Sequence, residues 1–131
     1  MSLKDQEDGA RVSSGISDAK ALKLRAIRDA IEAHACDPEF CARLVAEKLC
    51  VSERYVRRLL QADGDSFSEV RKRVRLDRAH ALLTDASCAS LSVTEVSLAS
   101  GFTDVSYFNR SFRQRFRVTP TSLRAQKRDT D

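Results

Sequence analysis

Glycine and proline are scarce in this chain, at four and two of 131 residues, and tryptophan is missing. So few breakers favour helix throughout and leave no strand candidate to defend. No apolar run approaches the roughly 18 residues that a membrane-spanning helix needs, and no signal-peptide pattern opens the chain. The chain is therefore expected to be soluble and intracellular, with a cytoplasmic location. Cys36, Cys41, Cys50 and Cys88 form no Cys-x-x-Cys pair and have only His34 near them. Structural zinc usually takes closely paired ligands, so no metal and no other cofactor is expected. Reduced thiols used as structural filling are the default in a cytosolic protein. Neither a Cys-His spacing nor a Gly-rich phosphate loop points to an enzyme, and no catalytic residue is assigned.

What is abundant is helix-forming Leu, Ala and Arg, in a length that suits one domain with a modest core. The formal net charge of +4 is unevenly spread. Residues 1–39 hold six Lys/Arg against eight Asp/Glu, a net −2, whereas residues 40–128 hold 17 against nine, a net +8. The positive charge lies where a polyanion-binding surface would be built. Charge alone fits a solvated basic face as well.

This basic stretch also says nearly the same thing twice. Ala46 to Leu60 and Ser97 to Phe112 each run from a helix end through a small turn residue, Cys50 or Gly101. An apolar residue follows (Val51, Phe102), then a hydroxyl (Ser52, Thr103), then a helix carrying Tyr55-Val56 or Tyr107-Phe108 with Arg and a large apolar residue after it. This is the pattern of a helix-turn-helix, present in two copies.

Local signals divide the chain into seven helices. Residues 1–17 are polar and aperiodic and are expected to be a disordered lead or linker. The domain proper is expected over 18–128. Leu24, Ile27, Ile31 and Ala35 keep helical spacing to about His34, and Asp37-Pro38 breaks the run. The first helix-turn-helix is expected at about 42–62. Leu44, Val45 and Leu49 point inward from its first helix; Ser52 caps the second, with Val51 and Val56 as staple and Val56, Leu59 and Leu60 inward. Ser66 and Glu69 read as a capping box opening a long linker helix, about 67–83, with Phe67, Val70, Val74 and then Ala81 or Leu82 as its apolar line. The second helix-turn-helix is expected at about 93–115. It opens with a Ser92-to-Glu95 capping box; Gly101 ends its first helix, and Thr103 caps the next with Phe102 and Tyr107 as staple. Thr119-Pro120 starts a short seventh helix. The fold class is all-α, with two helix-turn-helix subdomains joined by the linker helix.

In a helix-turn-helix the second helix lies in the major groove of DNA and its exposed N-terminal half meets base edges. The first unit offers Arg54, Arg57 and Arg58, which share one helical face and can bond two acceptors of guanine at once. The second offers Val105, Ser106, Asn109 and Arg110; Asn suits adenine and Val a thymine methyl. Phosphate contacts are expected at the helix ends capped by Ser52 and Thr103 and from Arg71, Arg113 and Arg115. A linker of about 25 Å can set two recognition helices near the ~34 Å recurrence of the major groove. One copy could then read two adjacent grooves of an asymmetric site. The competing reading is a helical interaction domain whose basic face meets an acidic protein.

These residues resemble the C-terminal DNA-binding domain of AraC/XylS-type bacterial transcription regulators. Gly101-Phe102, Tyr107-Phe108, Arg110, Phe112, Phe116 and Thr119-Pro120 fit that family's signature, and Arg75-Leu76, Ala79 and Leu82-Leu83 fit its linker. The likeness covers about residues 20–126. It implies seven helices, binding to double-stranded promoter DNA, and control of transcription initiation, with an activator that touches RNA polymerase as the expectation. Base-contact positions of the family fall on the same residues named above. Such proteins usually carry an effector or dimerisation domain before this one, so the chain is expected to be a module of a longer regulator, monomeric on its own. Three positions depart from the pattern: Cys50 and Arg117 stand where Gly is common, and Ser97 where Ala is. If Cys50 or Arg117 must adopt positive φ, each carries strain of order 1 kcal/mol.

Overall fold

The computed structural model describes residues 18–126 with their side chains, and helical backbone beyond them from Ser2 to Thr130. The expected lead over residues 1–17 lies outside the residues described in full. The α-helices are α1 (Ser2–His34), α2 (Ala42–Leu49), α3 (Glu53–Ala62), α4 (Phe67–Thr84), α5 (Val93–Ala99), α6 (Val105–Phe116) and α7 (Pro120–Thr130). A single 3-10 turn, Ala86–Cys88, interrupts the loop after α4, and the described residues contain no strand.

Two apolar cores sit at opposite ends of α4. The first gathers Ile27 and Ile31 of α1, Val45 of α2, Val56 and Leu60 of α3, and Phe67 and Val70 of α4. The second gathers Leu76, Ala79 and Leu83 of α4 with Val96, Phe102, Phe108 and Phe112. The inward residues of α3 are those expected, but in α2 the fully buried positions are Ala42, Val45 and Ala46, with Leu44 and Leu49 only partly covered.

The expected apolar line of α4 needs correcting in its second half. Phe67, Val70 and Val74 do pack on the first core. The second core takes Leu76, Ala79 and Leu83, whereas Ala81 is exposed and Leu82 half-buried. At about 100° per residue, positions 76, 79 and 83 lie on roughly the opposite face from 67, 70 and 74. Helical periodicity carried a single stripe forward; the linker changes face midway because it serves a separate core at each end.

Caps set the helix starts. Ser92 and Glu95 form the full reciprocal box expected of them, with bonds of 2.8 and 3.0 Å. At α4 only half of the box exists. Ser66 Oγ accepts from the Glu69 N–H at 3.2 Å, but the Ser66 N–H donates to Asp65 Oδ1 at 3.1 Å and Glu69 pairs with Lys72 instead. Thr119 Oγ1 accepts from the Ser122 N–H at 3.1 Å, starting α7 with buried Pro120 at its first position. Arg124 of α7 donates to the carbonyls of Leu91 and Cys88, fastening α7 to the loop before α5.

Asp65 ties the first unit to the linker. It accepts from Arg73 at 2.5 Å and from Arg28 of α1 at 3.3 Å, while Arg28 also reaches Asp63 at 2.6 Å. The Arg73 guanidinium, helped by the Ser66 N–H and Arg28, holds the Asp65 carboxyl below its usual range. A depressed carboxyl pKa stabilises the fold above the unfolded-state value of about 3.9, and the contribution is lost as pH falls through the folded value. Wild type should therefore melt above Asp65→Asn at pH 6, with the gap closing below about pH 4. A gap that stays constant across a melting series from pH 7 to 3 would show that the carboxylate charge is not what matters.

Candidate nucleic-acid interface

The two turns share one hydrogen-bond frame. In the first, the Val51 N–H donates to Ala46 O at 3.0 Å and the Cys50 N–H to Glu47 O at 3.3 Å. In the second, the Phe102 N–H donates to Ser97 O at 3.0 Å and the Gly101 N–H to Leu98 O at 3.0 Å. This paired closure of a helix end needs a left-handed residue at the turn. Cys50 has φ 57° and Gly101 φ 101°, and Arg117, at the end of α6, has φ 62°. The condition for strain at Cys50 and Arg117 is thus met.

Cys50 is exposed, so replacing it costs no buried contact. Cys50→Gly should relieve strain of about 1–2 kcal/mol against a glycine entropy cost of about 0.5–1 kcal/mol. A melting temperature a few degrees above wild type is expected; no rise, or a fall, in a thermal melt would sink the strain argument. Ser97, at the family's usual alanine position, is fully buried and its hydroxyl finds no partner in the structure.

Capping differs between the units. Ser52 Oγ accepts from the Tyr55 N–H at 3.0 Å, as expected. Thr103 is not the cap of α6: Asp104 Oδ1 accepts from the Tyr107 N–H at 3.1 Å, and Thr103 lies one residue outside. Counted from the left-handed residue, Cys50 or Gly101, the next helix starts one residue later in the second unit, and an aspartate caps as well as a hydroxyl while adding a charge that suits the helix dipole. The staple moves with it. Phe102 packs on Phe108 at 5.0 Å between ring centroids and more distantly, at 6.2 Å, on the exposed Tyr107.

With the inward faces fixed by Val56, Leu59 and Leu60 on α3 and by Phe108, Ser111 and Phe112 on α6, the outward faces follow. Arg54, Arg57 and Arg58 are all exposed and, with Glu53 and Gln61, line a shallow groove along α3. Arg57 donates to Glu53 at 3.2 and 3.3 Å. On α6, Ser106, Asn109 and Arg110 are exposed and Val105 is half-buried. A second groove is lined by Arg110, Arg113, Gln114 and Arg117. Arg117, marked in the sequence only by its backbone demand, joins this face because it stands three positions past Gln114, just beyond the helix end.

The basic side chains expected at phosphates divide. Arg113 is exposed. Arg71 instead donates to Phe40 O at 2.8 Å and lies 5.3 Å over the Phe67 ring. Arg115 pairs with Asp77 of α4 through bonds of 2.9 and 3.1 Å and lies over Phe116. Both brace the fold. Among the described residues, no group of three or more His, Cys, Asp or Glu gathers as a metal ion would need. The Cys36 thiol is pushed up by burial, which outweighs nearby Arg78 and Arg75 and disfavours a nucleophilic thiolate.

Two matched turns, each presenting an outward polar face on its following helix, make this a double helix-turn-helix protein. Known proteins agree: residues 45–126 match the family model described as a helix-turn-helix domain. The chain belongs to the AraC-type helix-turn-helix family of transcription regulators. It is 36% identical over 112 residues to the HTH-type transcriptional regulator CdhR of Pseudomonas aeruginosa, covering 85% of this chain and 31% of that protein. It is 30% identical over 102 residues to the transcriptional activator RhrA of Rhizobium meliloti, covering 78% and 32%. The chain thus spans about a third of the length of these relatives. Among solved structures, an AraC-type regulator from Chromobacterium violaceum superposes with a TM-score of 0.71 at 30% identity, covering 84% of this chain and 96% of that one. A probable AraC family regulator from Rhodopseudomonas palustris gives 0.73 at 27% identity, covering 80% and 96%.

Proposed function

We propose that this module binds double-stranded promoter DNA sequence-specifically, with α3 and α6 in adjacent major grooves of an asymmetric site. The observation that carries this reading is the repeated turn geometry at either end of one continuous linker helix. The 18 residues of α4 make a rod of about 27 Å, close to the ~34 Å groove recurrence once half a helix diameter is added. Arg54, Arg57 and Arg58 read one block of bases; Val105, Ser106, Asn109 and Arg110 read the other.

Phosphates are gripped by the α3 amides at Ser52, by Arg113 and by Arg117. Thr103 and the α6 end contribute less, because the Asp104 carboxylate occupies the place an anion would take. Arg71 and Arg115 serve DNA indirectly, through the helices they brace. Within the intact regulator the module activates transcription initiation in the bacterial cytoplasm, in contact with RNA polymerase and under the control of an effector or dimerisation domain; alone it is monomeric and has no enzymatic activity. Among the described residues no helix is long and apolar enough to cross a membrane.

Selection from a pool of random duplexes about three helical turns long, at near-physiological salt, tests the reading. Two dissimilar blocks with centres about one turn apart are expected. A single block would leave one unit gripping phosphate only, and a palindrome would remove the asymmetric, one-copy geometry. No enrichment would move the basic face to an acidic protein partner.

A further inference from the structure

Midway along α4, where the helix turns from one core to the other, Arg75 is buried to 9% exposure. Its Nε donates to Ala35 O at 2.5 Å and its Nη2 to Asp37 O at 3.1 Å. Ala35 follows directly on α1, whose last carbonyls have no partner within their own helix; Asp37, two residues on, also accepts from the Phe40 N–H at 3.0 Å. Arg75 therefore caps the end of α1, in the first unit, from the linker. The turn of the second unit seats at the same spot: a Cβ built on Gly101 would stand 2.7 Å from Arg75 Nε, 2.9 Å from Ala35 O and 3.0 Å from Cys36 O. Three elements meet at one side chain: the end of α1, the middle of α4, and the turn that leads into α6.

A guanidinium is suited to such a joint. Its donors lie in a rigid plane, so two bonds to two carbonyls fix its orientation, where an ammonium would act as a swivelling point charge. Burial pulls the Arg75 pKa down, with Arg71 adding to the effect, yet arginine keeps its charge throughout the useful pH range. Because Gly101 leaves no gap, the α5–α6 turn has no room to slide past α1. Moving α6 by one base pair along DNA would require a displacement of about 3.4 Å, far more than this contact permits.

We infer that Arg75 is the positioning residue that sets the separation and relative orientation of α3 and α6, and with it the permitted spacing between the two blocks of the DNA site. The consequence for DNA rests on the two-groove reading above; the mechanical part does not.

Residual dipolar couplings of backbone N–H groups, measured on the free chain, separate the two. Wild type should fit one alignment tensor across both units. Arg75→Met, which keeps the stem and loses both bonds, should need two tensors, and Arg75→Lys should fall between them. In parallel, duplexes carrying the selected blocks are lengthened or shortened between the blocks by one base pair. Wild type should prefer one spacing, and Arg75→Met should flatten that preference by about tenfold. If both variants keep a single tensor and the wild-type spacing preference while only melting earlier, Arg75 merely stabilises the fold and the inference is overturned. If wild type selects a single block, the two-groove reading fails and the couplings alone decide the joint. Should Arg75→Met not fold, the same comparison is read on Arg75→Lys.

Discussion

Replacing Arg54, Arg57 and Arg58 together by alanine is expected to weaken binding to the selected duplex by roughly 10²–10⁴-fold and to erase one of its two sequence blocks. Each good base contact by arginine is worth about 1–3 kcal/mol of discrimination, and losses within one face do not add fully. The fold should be untouched. All three side chains are exposed, while the packing of α3 rests on Val56, Leu59 and Leu60. The ion pair between Arg57 and Glu53 is about half exposed at both ends and contributes little to stability. The counterpart, Asn109→Ala with Arg110→Ala, should erase the other block and spare the first. Titration of labelled duplex at fixed salt, with repeated selection on each variant, checks both. Equal loss against every sequence, with both blocks kept, would mean that these arginines grip only phosphate.

Gly101→Ala should be strongly destabilising, far more so than Gly64→Ala. The new Cβ would lie within 3.0 Å of the backbone carbonyl oxygens of Ala35 and Cys36, which cannot swing aside, and of the Arg75 guanidinium, which is pinned by its bonds to Ala35 O and Asp37 O. To this is added the strain of an L-residue at φ 101°. A loss of about 3 kcal/mol or more is expected from overpacking and strain together. Gly64→Ala is the control: its φ is 79°, but nothing lies within 4 Å of the added carbon. It should lose only the backbone strain, about 1–2 kcal/mol. Denaturant unfolding of both variants gives the comparison, and similar losses for the two would remove the case for a tight joint at Gly101.

Much of the site was legible before any coordinates. The positions of α2, α3, α5 and α6 follow from turn residues and caps that act over four or five residues, and such local signals survive into the fold. The outward arginines of α3 were readable for the same reason, since Val56, Leu59 and Leu60 fix the opposite face. Other details needed the packed structure. Asp104, not Thr103, caps α6 because two adjacent residues can both cap, and only the length of the turn chooses between them. The bonds of Arg71 to Phe40 and of Arg115 to Asp77 were not legible either, because charge and exposure on a helical wheel are alike for a solvated arginine and for one folded back onto its own fold.

By itself the sequence determined the number and order of the helices, the doubled turn, the left-handed demand on Gly101, and the family to which the chain belongs. Those properties come from short-range backbone geometry and from residue types at fixed spacing. Only the tertiary structure decided that α4 buries opposite faces in its two halves, that Arg75 caps α1 from 40 residues away, and that Gly101 closes on the same point. These are contacts between segments distant in the chain. No local propensity encodes them, because a buried arginine and an exposed one are the same letter until the two cores have packed around the linker.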